Sequence, residues 1–131
     1  MAEPQSKDCS DGLVRAMLAG DLDAFVAQYT DDAVLYGPAN VQSVGKEAIR
    51  AEMGEFFKVI QADSFDWDDN AAVSGDVAYH WGTWTLKGKN KVTGDDLELK
   101  ARTLDVRRRQ ADGTWLIAAD HASWFPQAPD A

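Results

Sequence analysis

The chain has 131 residues, 45% of them hydrophobic and including five Trp, five Phe and three Tyr, which supplies a core and a lined cavity and excludes a disordered chain. A balance of 22 acidic against 13 basic residues gives a net charge of -9, which opposes approach to nucleic-acid backbones and anionic membranes. Cys9 is the only cysteine, so an intrachain disulfide is excluded, and neither an 18-residue apolar run nor a basic-then-apolar start is present. The expectation is a cytoplasmic protein, a single domain over 1–131 with its core at about 8–125, and neither nucleic acid nor membrane as partner.

In chain order, Leu13, Val14, Met17 and Leu18 repeat on one helical face, and Gly20 stands where a left-handed cap ends the helix. Asp21 caps a second helix, in which Leu22, Phe25, Val26 and Tyr29 fall at i, i+3, i+4 and i+7. Val34, Leu35 and Tyr36 read as a strand broken by Gly37 and Pro38, and a loop runs through Gly45. From Lys46, the residues Ile49, Met53, Phe56, Phe57 and Ile60 trace the buried face of a third helix.

Beyond that helix the period changes to two, which predicts strands near Ser64 to Ala72, Val77 to Lys87, Leu97 to Arg109 and Trp115 to Trp124. Helices first and antiparallel strands afterwards describe an α+β domain with the helices on one face of a sheet. A long sheet coils, so helices crossing its hollow side leave a pocket.

Read with Asp112 and Gly113 as a two-residue turn, the last hairpin pairs Ala111 with Thr114 and places Asp105 opposite Asp120. Directly opposed side chains lie about 5 Å apart at Cβ. Two carboxylates that close disfavour joint ionisation, so one holds a proton at a raised pKa and is fit for acid/base work. Asp105 and Asp120 are therefore the candidate catalytic residues, and the structural alternative is a bulge, or Arg107 neutralising both acids.

Periodicity leaves open which sheet face looks inward. On the alternative face His80, Arg102 and His121 become candidates, with His as a base and Arg as an anion clamp. Tyr79 and Trp81 alternate with His80 and Trp84, so aromatic groups project to both sides of that strand, and the set left outside predicts a homodimer through the outer sheet face. No glycine-rich phosphate loop, paired cysteines, metal-spaced His pair or serine elbow is present, so the expectation is neither metal nor cofactor.

Four phrases, AGDLDAFVAQYTDDAVLY, GKEAIRAEMGEFF, GDVAYHWGTW and ARTLDVRRRQADGTWLIAADHAS, resemble the nuclear transport factor 2-like superfamily, and within it the SnoaL-like and ketosteroid-isomerase-like domains, over roughly residues 8 to 125. The resemblance implies a cone-shaped, cystatin-like roll: three N-terminal helices on a strongly curved, mostly antiparallel sheet, usually dimeric, with a pocket between the layers. It places Asp105 where ketosteroid isomerase keeps an oxyanion-hole acid and Asp120 where the cyclases and limonene epoxide hydrolase-like enzymes keep an acid on the final strand. The isomerase's general-base Asp falls at Gly37 and its oxyanion Tyr at Leu13. Carried across, Tyr29, Met53, Phe57, Tyr79, Trp81, Thr103, Ala118 and Trp124 would wall the pocket, and Arg107 loosely echoes the arginine that pairs with two acids in the hydrolases.

Together these readings predict a domain that binds a small, apolar, ring-shaped molecule. It acts either as a cofactor-independent acid/base enzyme of isomerase, cyclase or hydrolase type, or as a non-catalytic ligand-binding or dimerisation module.

Overall fold

A computed structural model describes residues 3–37 and 42–125. The chain runs α1 (Ser6–Ala19), α2 (Leu22–Val26), β1 (Tyr29–Tyr36), β2 (Gln42–Val44), α3 (Lys46–Val59), β3 (Ile60–Ser74), β4 (Val77–Asn90), β5 (Asp96–Arg109) and β6 (Trp115–Trp124). The expected proline break at Pro38 and the tail from Pro126 lie outside the described residues.

The helix ends follow their capping chemistry. Asp8 accepts a hydrogen bond from the Gln5 N–H at the start of α1, and Gly20 closes it with a left-handed φ of 65°. Asp21 accepts from the Ala24 N–H at 3.0 Å and starts α2. That second helix is shorter than its apolar spacing suggests. It stops at Val26, and Tyr29 opens β1 instead, because β1 pairs in parallel with β6 (Tyr29 opposite Ile117) and the Ile117 N–H donates to the Gln28 carbonyl. Tertiary pairing overrides a helical period here. The loop expected before Gly45 also holds the short β2, antiparallel to β1.

The six strands form one sheet in the order β2-β1-β6-β5-β4-β3, antiparallel throughout except for β1 with β6. Register shifts interrupt β3/β4 and β5/β6, and such bulges add to the coiling of long strands. On β4 the backbone of β3 comes so near that a Cβ at Gly82 would overlap the Asp68 carbonyl oxygen, so only glycine fits. The helices cover one face of this sheet. Leu13, Phe25, Tyr29, Ile49, Phe57 and Ile117 form the buried cluster between the layers. No helix among the described residues is long and apolar enough to cross a membrane.

The last hairpin reaches its expected pairing by a different route. Arg109 opposite Trp115 is the final pair, and Gln110 to Thr114 form a wider turn in which Gly113 has φ 90° and Asp112 accepts from the Thr114 N–H and hydroxyl. The two-residue turn is thereby corrected, with Asp112 acting as an internal acceptor that needs the larger loop. A bulge near Ala118 then shifts the register back, so Asp105 does face Asp120. Between turn and bulge the faces exchange, which brings Ile117 inward beside Arg107, both wholly buried.

Candidate functional site

The inward face is the one bearing Asp105, because the register of β4 on β5 sets His80 opposite Asp105 and Trp81 opposite Leu104. His80 is buried, whereas Tyr79 and Trp81 are 51% and 42% exposed on the outer face. The expected place of Tyr79 and Trp81 in a pocket wall is therefore corrected. So is the grouping of His80 with Arg102 and His121: His80 lies inside, and Arg102 and His121 are exposed outside.

Asp105 and Arg107 sit two residues apart on this inner face, 2% and 0% exposed. The guanidinium clamps both carboxylate oxygens, Nε to Oδ1 at 2.7 Å and Nη2 to Oδ2 at 3.0 Å. Its Nη1 donates to the Ser6 carbonyl and to Ser10 Oγ, each at 2.7 Å, so the start of α1 is tied to the sheet. Ser10 in turn donates to Asp69 Oδ2 at 2.5 Å, His80 Nδ1 meets Asp69 Oδ1 at 3.0 Å, and His80 Nε2 meets Ser6 Oγ at 2.8 Å. Burial pushes Asp69 up, but these bonds from His80 and Ser10 outweigh it and hold its pKa below the usual carboxylate value. This closed network satisfies its own polar groups and keeps Asp105 away from any ligand.

Asp120 has a different environment. Burial, and then the charge of Asp105 across the strand pair, push its pKa up to about 7, against the opposing effects of Tyr29 and Arg107. The buried Tyr29 hydroxyl donates to Asp120 Oδ2 at 2.8 Å. Among the described residues Oδ1 has no hydrogen-bond partner. Burial likewise raises Tyr29 well above the ordinary tyrosine value and Cys9 to about 12, so neither serves as an anion near neutrality.

Asp120 borders a cavity of about 400 Å³ between the sheet and the helices. Tyr29, Met53, Thr103 and Trp124 border it as well. Phe57 does not: α3 presents Met53 and Phe56 to the cavity, and Phe57 packs edge-on against Phe25 in the core. Arg107 is sealed in the network beneath, and Ala118 lies at the bulge, out of the strand's alternation, so neither touches the cavity. Sequence reasoning omitted Phe65, Trp67, Trp84 and Glu52, which do border it. The alternation of Phe65, Trp67 and Asp69 carries the signal for the β3 residues, once Asp69 is placed beside His80.

Phe65 stacks on Trp84 at 5.1 Å, and Trp84 meets Trp124 edge-on at 5.8 Å, so one wall is aromatic. Among the described residues the buried Trp67 Nε1 has no hydrogen-bond partner, and its ring lies 5.6 Å from the Arg107 guanidinium. The arrangement can enclose a flat apolar molecule and offer it one neutral carboxylic acid.

The SnoaL-like domain family matches residues 11–118. Among solved structures, a ketosteroid isomerase-like protein from Erwinia carotovora atroseptica superposes with a TM-score of 0.83 at 25% identity, over 93% of this chain and 95% of that one. A nuclear transport factor 2-like superfamily protein from Salmonella enterica serovar Typhimurium gives 0.80 at 14% identity, over 94% and 90%. A nuclear transport factor 2-like protein from Rhodospirillum rubrum gives 0.76 at 19% identity, over 93% and 99%. Among curated proteins no sequence matches.

Proposed function

We propose that this chain, which belongs to the SnoaL-like domain family, binds a small, largely apolar ring compound in the cavity and exchanges a proton with it through Asp120, without a cofactor. The observation that carries this reading is the state of Asp120: its proton is held up to about pH 7, Tyr29 occupies Oδ2, and the carboxyl borders an apolar cavity. Asp120 would give its proton to a substrate oxygen, and the resulting carboxylate would recover one from substrate carbon or from water. Isomerisation, cyclisation and hydration each fit that cycle. Asp105 acts only through Asp120, as the fixed negative charge that favours the protonated form, and Arg107 keeps that charge in place. The name of the ketosteroid isomerase-like neighbour lends support to the isomerase form of this reading.

A second reading has its own observation. With Asp105 sealed by Arg107, Asp120 is the one member of the pair that borders the cavity, and one hydroxyl donor is enough to anchor a ligand that is released unchanged. Incubating the protein with each ring compound that raises its melting temperature, and recovering the compound for mass spectrometry and NMR, separates the two. Proton transfer predicts at least one rearranged, cyclised or hydrated product. Return of every bound compound unaltered between pH 5 and 8 would leave only the carrier.

We also propose a homodimer through the outer face, where Tyr79 and Trp81 pack together at 5.4 Å and Leu104 and Val106 are exposed beside them. Analytical ultracentrifugation is expected to give twice the chain mass for the native protein and a monomer for Trp81→Glu. A monomeric native protein would remove the dimer.

A further inference from the structure

Apart from the indole N–H groups of its tryptophans, the polar side chains that border the cavity are hydroxyl or acidic: Tyr29, Thr103, Asp120, Glu52 and Glu55. No Lys, Arg or His is among the described residues around it. Glu55 stands at the exposed surface with Lys58 at 3.0 Å, but Glu52 is partly buried and its described partner is the Ser43 hydroxyl, which donates to Oε2 at 2.5 Å. Among the described residues Glu52 forms no ion pair. An acidic group without a described cation partner, bordering the same cavity as the aromatic wall of Phe65, Trp84 and Trp124, matches an organic cation in two ways. The carboxylate supplies the counter-charge, and ring faces attract positive charge by their quadrupole.

From this charge complementarity we infer that the cavity selects ring compounds carrying a protonated amine, with the ring among the tryptophans and the ammonium at Glu52. A carboxylate of the same shape meets only like charge and is rejected. The inference rests on the cavity being a ligand site and is independent of any proton transfer by Asp120.

Isothermal titration with 1-naphthylmethylamine, 1-naphthalenemethanol and 1-naphthoic acid at neutral pH tests it, since the three share a ring system and differ in charge. The amine is expected to bind about five- to tenfold tighter than the alcohol, the range of a partly desolvated cation–π contact and charge pair, with the acid weakest. Glu52→Gln should bring the amine to the affinity of the alcohol. Glu98→Gln, on the exposed side of β5, makes the same change in net charge and should preserve the preference. Equal binding of amine and alcohol, or a preference that survives Glu52→Gln, overturns this inference alone. Failure of all three to bind overturns it together with the ligand-site reading.

Discussion

Arg107→Met is expected to cost about 3–5 kcal/mol of folding free energy, because it strands the buried Asp105 carboxylate without the guanidinium that holds both its oxygens. A domain has only about 5–15 kcal/mol in total, so the variant should be folded marginally or not at all. Removing both charges together, in Arg107→Met with Asp105→Leu, should recover most of the loss, since a buried pair contributes little beyond its mutual compensation. The double variant keeps the test readable if the single one does not fold. Lys58→Met, which breaks an exposed pair with Glu55, should change stability by less than about 1 kcal/mol. Urea denaturation at neutral pH measures all three. An Arg107→Met protein within 1 kcal/mol of the native one would mean that Asp105 is not held as an ion, and the field proposed to act on Asp120 would then be absent.

Asp120→Asn is expected to fold with an intact core yet lower turnover of any converted substrate by about 10²- to 10⁴-fold, the usual contribution of a general acid or base. Its stability should depend on pH differently as well. The folded pKa of Asp120 is about 7, above the value of about 3.9 for an unfolded aspartate, so the folded state binds this proton more tightly. Stability due to Asp120 is therefore fully present below about pH 4 and is lost as pH rises to about 7. The full shift is worth roughly 4 kcal/mol at 1.36 per unit, and contact with the open cavity reduces it. Asp69, with its lowered pKa, contributes in the opposite sense, gaining stability as it ionises. Subtracting the Asp120→Asn curve from the native curve removes Asp69 and leaves the Asp120 contribution, a decline with pH across that window. A flat difference would place the carboxyl in an ordinary solvated state, and a rising one would mean that the folded protein favours its ionised form; either contradicts a raised pKa.

The strongly periodic segments were legible in the sequence. α1 and α3 declare themselves by apolar stripes, α1 with a glycine stop, and β4 to β6 by alternation and turn residues. Tyr29 was not, since its spacing continues a helix and only the parallel contact with β6 makes it a strand residue. The opposition of Asp105 and Asp120 was read correctly from a turn that does not exist, because the wider loop at Gln110 to Thr114 and the bulge near Ala118 cancel.

The wall of the cavity was harder to read for a related reason. Which side of β4 faces in depends on its register against β5, which is fixed by the connection from Asn90 to Asp96, where Asn90 Oδ1 accepts from the Val92 and Thr93 N–H groups. A shift of one residue there would have put Tyr79 and Trp81 inside and His80 outside. Ser6 and Ser10 carry no apolar signal at all. They are buried because Arg107, Asp69 and His80 arrive from distant strands to satisfy them.

Side-chain carboxyl ¹³C chemical shifts followed from pH 3 to 9, with Asp120 assigned by its absence in Asp120→Asn, test most directly whether a neutral acid faces the cavity. A resonance that titrates near pH 7 and moves toward the ordinary aspartate range when Asp105 is changed to Asn is the expected outcome. One that titrates near pH 4 in the native protein would show Asp120 ionised at neutrality, with no proton to give.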